Sequence, residues 1–157
     1  MARKSKNLKY YEAVGRRKEA AARVRLYLVG SDKTASFKNP VSSGNVKVKQ
    51  GEILVNGKLI DKIFPHQSDQ AKYLFPLKMT GNDDRFAISI LVKGGGKNGQ
   101  LEAIIHGLAR AIIKVDSDQY RPSLKKAGLL TRNPRVRERR KVGTGGKARR
   151  LKQSPKR

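Results

Sequence analysis

The chain has 157 residues, with 37 Lys and Arg against 12 Asp and Glu, a net charge of +25 and a pI near 10.9. It has no cysteine, which excludes disulfides and thiolate metal sites, and no apolar run long enough to span a membrane. So much like charge is costly to confine in a small globule unless a polyanion neutralises it, so nucleic acid is the expected partner; an anionic membrane would call for a basic amphipathic helix or a lipidation signal, and the basic segments carry neither.

Hydrophobic residues make up 37% of the chain, lean for its full length. A folded domain over residues 1–130 and a basic tail over residues 131–157 fit that figure better than one core throughout. Met1 to Lys9 is basic, and no apolar stretch of signal-peptide length follows it, so the chain reads as soluble and cytosolic.

In chain order, Leu8–Val14 reads as a strand and Gly15-Arg16-Arg17-Lys18 as a hairpin turn carrying three cations. Ala22–Val29 alternates as a half-buried strand. Ala22, Val24, Leu26 and Leu28 point inward, while Arg23, Arg25 and Tyr27 point outward. Ser31–Asn45, rich in Ser, Asn, Gly and Pro, reads as a loop. Lys47–Val55 reads as a strand ended by the Asn56-Gly57 turn, and Leu59–Phe64 as a short helix. Ser68 reads as the N-cap of a helix to about Leu77, interrupted at Pro76. Arg85–Val92, apolar and β-branched, reads as a buried strand.

Gly94-Gly95-Gly96 opens a helix from about Gln100 to Val115, with Leu101, Ile104, Ile105, Leu108, Ile112 and Val115 as its apolar stripe. Glu102, His106, Arg110 and Lys114 step down its other face at intervals of four. Gly107, costly in mid-helix, signals a close backbone approach. Pro122 starts a short helix over Ser123–Ala127, ended by Gly128. No core-forming pattern follows; residues 121–157 hold 15 Lys and Arg and a single acid, Glu138.

Gly94-x-Gly96-x-x-Gly99 follows a strand, opens a helix and has Asp116 about 20 residues on, as a dinucleotide site would. That site needs a parallel strand after the helix, and the sequence provides none. A phosphate-binding loop of the ATPase type fails as well, because Asn98 follows Lys97. What survives is a glycine turn ahead of a helix N-terminus, suited to an RNA phosphate with Lys93 and Lys97 adding charge, or simply a tight strand-to-helix turn. His66 and His106, the only histidines, lie in different elements with no partner spacing for a metal or an acid–base pair. No catalytic residue and no cofactor is therefore expected. Arg16, Arg17, Lys18, Arg23 and Arg25 form one candidate cationic face, and His106 with Arg110 another. In the tail, Arg132, Arg135, Arg137, Arg139, Arg140, Lys141, Lys147, Arg149 and Arg150 are candidate phosphate ligands. Gly143, Gly145, Gly146, Pro134 and Pro155 keep that segment from a long helix and suit a path between RNA helices.

Five stretches resemble the bacterial-type small-subunit ribosomal protein nine family: Gly15-Arg-Arg-Lys with Ala21-Ala-Arg-Val; Gly51-Glu-Ile-Leu-Val-Asn-Gly; Gly94-Gly-Gly-Lys-Asn-Gly-Gln running on to Ala103-Ile-Ile-His-Gly-Leu-Ala-Arg-Ala; Leu124-Lys-Lys-Ala-Gly-Leu-Leu-Thr-Arg-Asn-Pro-Arg; and Glu138-Arg-Arg-Lys-Val-Gly, Lys147-Ala-Arg-Arg and the final Lys156-Arg157. The resemblance implies an α+β fold with a mixed four-stranded sheet, helices packed on it as in the second domain of small-subunit protein five, and an extended basic C-terminal tail. It implies a crossover between strands at Ile53 and Ile88. It further implies binding to small-subunit rRNA in the subunit head, beside neighbouring head proteins, with Lys156 and Arg157 approaching the anticodon stem-loop of the P-site tRNA. The Gly30–Gln50 excursion is longer than the family's usual turn, and the tail end lacks the family's aromatic residue. A free nucleic-acid-binding regulator and a nucleotide-dependent enzyme are the competing classes; the motif match favours the ribosomal reading over the first, and the missing strand counts against the second.

Overall fold

The computed structural model describes residues 10–29, 35–38, 45–140 and 142. Its elements are β1 (Tyr10–Arg17), β2 (Ala20–Leu28), β3 (Ala35–Lys38), β4 (Asn45–Val48), β5 (Ile53–Val55), β6 (Lys58–Leu59), α1 (Ile60–Ile63), α2 (Gln67–Met79), β7 (Phe86–Lys93), α3 (Lys97–Ile113) and α4 (Ser117–Lys126).

β1 and β2 pair antiparallel with Arg17 opposite Ala20, so their turn is only Lys18-Glu19, with Lys18 at φ 49°. The expected turn at Gly15 is corrected: Gly15, Arg16 and Arg17 are strand residues. β2 pairs antiparallel with β7, and β7 pairs parallel with β5, Ile53 opposite Ile88. The Asn56-Gly57 turn, with φ 51° and 84°, returns the chain into β6. Asn56 also extends the parallel ladder: its side chain donates to Val92 O (3.1 Å) and accepts from Val92 N (3.0 Å).

The mixed sheet thus has five strands in the order β1-β2-β7-β5-β6, not the expected four. The extra strand is β6, whose two residues are too few to display an alternation.

One face of the sheet carries the main core. Ala22, Val24 and Leu26 of β2 and Ile88, Ile90 and Val92 of β7 pack with Leu101, Ile104, Leu108 and Ile112 of α3, and Tyr73, Leu77, Tyr120 and Leu124 join from α2 and α4. The opposite face carries a smaller cluster of Tyr27, Val48, Leu54 and Ala87. This reverses the expected end of β2: Tyr27 is 3% exposed and Leu28 43%. The reason is β4. The Ser31–Asn45 segment read as a loop supplies β3, which pairs antiparallel with β4, and the single strand expected over Lys47–Val55 is instead broken into β4 and β5; β4 brings Val48 onto the outer face beneath Tyr27.

Three helix starts also differ from expectation, and the first is α3, which begins at Lys97 with Gly96 as its N-cap and not at about Gln100. α2 begins at Gln67 with His66 as its N-cap, rather than at Ser68, and runs through Pro76 to Met79. α4 begins at Ser117, because Asp116 Oδ1 accepts from the N–H groups of Asp118 and Gln119 (both 3.1 Å); Pro122 lies inside the helix instead of starting it. A strong Asx cap outweighs the proline signal. Among the described residues, no helix is long and apolar enough to cross a membrane.

Candidate nucleic-acid interface

The site begins with two glycines. A Cβ on Gly15 of β1 would overlap Ala103 O and Gly107 N of α3, and a Cβ on Gly107 would stand 2.7 Å from Val24 Cγ2 and 3.2 Å from Gly15 N. Strand and helix therefore touch backbone to backbone, as Gly107 led one to expect; Gly15 serves this contact and not a turn.

That approach lets the polar face of α3 reach β1 directly. Glu102 Oε2 accepts from Arg17 Nε (2.5 Å), His106 Nδ1 accepts from Arg16 N (3.4 Å), and Arg110 Nη1 donates to Val14 O (2.5 Å). Three side chains at four-residue spacing thus bond successive points along one strand, where sequence reading turned His106 and Arg110 toward RNA. Arg17 also donates from Nη1 to Arg135 O (2.7 Å) and Asn133 O (3.5 Å).

Two hollows lie on either side of Arg17. The larger, an open groove of about 440 Å³, runs between the Lys18-Glu19 turn and Gly95 to Gly99. Gly94 and Gly95, at φ +75° and +65°, press against this turn, where a Cβ would meet Glu19 O or sit 3.0 Å from Ala20 Cβ. Gly96 caps α3 with no side-chain acceptor, and the first helical turn holds no acid. The first N–H groups and the positive end of the helix dipole are therefore left for an anion, with Lys18 and Lys97 exposed beside them. Lys93 is exposed at the end of β7. Asp116, which the dinucleotide pattern would place on a ribose, instead caps α4, and a helix rather than a strand follows α3.

The smaller hollow, about 150 Å³, is lined by Arg16, Glu102, His106, Leu129, Arg132 and Asn133 among others. The exposed cations here and beyond are Arg16, Arg132, Arg135, Arg137, Arg139 and Arg140; Lys125 and Lys126, exposed at the end of α4, were passed over in the sequence because they look like ordinary helix-terminal lysines. Lys141, Lys147, Arg149, Arg150, Lys156 and Arg157 lie outside the described residues. On the outer face of β2, Arg23 is half-buried. Arg25 pairs with Glu12 (2.6 Å) and lies 4.7 Å from the centre of the Tyr10 ring. The burial that would lower its pKa is outweighed by its bonds to Glu12 and Tyr27, so it stays charged above its ordinary value. Among the described residues no group of three or more His, Cys, Asp or Glu is placed to hold a metal ion.

His106 is held below its ordinary pKa of 6.5, chiefly by burial, which together with repulsion from Arg110 and Arg132 outweighs the pull of the Leu130 backbone toward the charged ring. The unfolded chain therefore takes up this proton at higher pH than the folded one. Stability should be full above 6.5 and should decline as pH falls through the lower folded value. Urea midpoints measured from about pH 7 to pH 5 should fall in the parent chain and flatten in His106→Gln. Equal slopes would contradict the half-buried, neutral imidazole.

The model of the ribosomal protein S9/S16 family matches residues 15–157. The matched span takes in both hollows, the β1–α3 contact, all of α4 and the basic segment that follows.

Proposed function

The chain belongs to the ribosomal protein S9/S16 family, a family of structural, rRNA-binding constituents of the small ribosomal subunit, and we propose on that footing how its parts divide the work. Residues 1–130 form the body that docks on rRNA of the 3′ major domain in the subunit head, beside other head proteins. Residues 131–157 form a basic thread that passes through RNA and ends at the P-site tRNA.

The body offers RNA the larger groove, with Lys18, Lys97 and the uncapped start of α3 positioned for backbone oxygens, and Lys93 exposed at the end of β7. Arg16, Arg132, Arg135, Arg137, Arg139 and Arg140 offer forked donors that can grip phosphates in pairs of bonds. Arg23, Arg25, His106 and Arg110 stand second to these, since Arg25 and Arg110 already hold carboxylate or carbonyl partners and His106 and Arg23 are half-buried. Contacts of this kind fix register without reading sequence, which suits a protein that must accept every tRNA.

The observation that carries the reading is that the family match continues to residue 157, through the basic segment as well as the folded body. On this reading Lys156 and Arg157 contact the backbone of the tRNA anticodon stem-loop. Deleting both should leave subunit assembly intact while speeding tRNA loss from the P site. At about 1 kcal/mol per lost phosphate contact, dissociation should rise by about 30-fold in filter-retention experiments with purified subunits. Unchanged retention would place the end of the chain elsewhere.

A further inference from the structure

We propose that Arg17 is a positioning residue: with Glu102 and His106 it fixes the point and direction at which the basic C-terminal segment leaves the folded body, instead of binding phosphate itself. Its side chain is only 12% exposed and its donors turn inward, Nε to Glu102 Oε2 and Nη1 to the carbonyl oxygens of Asn133 and Arg135. One turn along α3, His106 Nδ1 accepts from the Arg16 N–H, next to Arg17 on β1. Asn133 and Arg135 are thus both tied to β1 by polar bonds.

Little else could hold them. From Asn133 to Arg140 the chain has no regular structure and every side chain is exposed, so no apolar burial restrains it. The Arg135 N–H bonds to Asn133 Oδ1 (3.0 Å), a local turn that accompanies the two carbonyls Arg17 reaches. A guanidinium suits the task because its planar fork donates in several directions at once, as an ammonium cannot. Glu102 takes Nε and supplies the negative charge that lets one more cation stand near Arg16 and Arg132, on the rim of the smaller hollow.

The chemistry is intramolecular and concerns the chain before any RNA arrives. Fixing one end of a segment before it binds lowers the ordering cost of that binding. That benefit rests on the function proposed above, but the clamp does not, and neither does its test. In the ¹⁵N-labelled full chain at moderate salt, backbone heteronuclear NOEs at Arg135 and Val136 should match those of α4, and the Arg17 Nε–H signal should be protected from exchange. Arg17→Gln should lower these NOEs to the values at Arg139 and Arg140 and raise tryptic cleavage after Arg135, relative to cleavage after Arg140, by at least about fivefold, as expected when a local restraint opens. Arg17→Lys, which keeps the charge, should not restore them. Melting temperature and α3 amide shifts should stay near those of the parent. Should Arg17→Gln fail to fold, Glu102→Gln, whose side chain is 51% exposed, serves instead and should deprotect Arg17 Nε–H and loosen the same residues. Unchanged NOEs and cleavage ratios in the folded variants would overturn the clamp while leaving the RNA-binding reading untouched; loss of RNA binding with an intact clamp would do the reverse.

Discussion

Gly15→Ala should cost the folded body about 3 kcal/mol or more, a large share of what a domain of this size has to lose. The added carbon would overlap Ala103 O and Gly107 N, both backbone atoms, so relief requires β1 or α3 to move as a unit. Gly15 does not adopt a positive φ. Alanine is thus conformationally acceptable there and would, without the contact, be neutral or slightly stabilising. The sign of the effect is therefore diagnostic. Gly107→Ala should cost less: its added carbon would stand 2.7 Å from its nearest neighbour, Val24 Cγ2, instead of overlapping backbone outright, and the gain in helix propensity returns about 1 kcal/mol. Urea denaturation of the full chain measures both. A loss below about 1 kcal/mol for Gly15→Ala would mean that strand and helix do not touch as described.

Removing residues 131–157 should produce the largest effect on binding. The segment holds 12 Lys and Arg and one acid. If about six of those cations meet phosphates, the slope of log affinity against log salt should become shallower by roughly four, and affinity for a small-subunit head rRNA fragment at about 0.1 M salt should fall by about 10⁴-fold. The truncated body should keep its far-ultraviolet spectrum, because the main core draws on no residue beyond Leu130. Equal salt slopes for the two chains would show that the segment makes no ionic contact with RNA.

The sequence made some of this architecture legible and hid the rest for physical reasons. β2, β7 and α3 were readable because each has a side buried by a continuous apolar series, which a period of 2 or 3.6 betrays. β6 was not, since two residues carry no period. The face of Tyr27 was legible but its burial was not, because alternation assumes one wet face and Val48 of β4 dries that face. At the site, the glycine loop and the exposed cations were legible from residue type and spacing. The spacing of Glu102, His106 and Arg110 was legible too, but not what it faces. A polar stripe looks the same in sequence whether it meets water, RNA or the flank of a strand. Only the paired glycines at 15 and 107 hinted at the third, and Gly15 sat where turn chemistry offered a ready explanation.

The line of α3 side chains along β1 has a further effect on the free protein. β1 is the outermost strand on its side of the sheet, and the sheet's other margin is the two-residue β6. An open row of amides and carbonyls on a newly made chain invites recruitment of a like chain and growth into fibrils. With Arg16 N taken by His106 and Val14 O by Arg110, that template is blunted from within the molecule. A polypeptide awaiting its RNA is thereby spared one route to self-association.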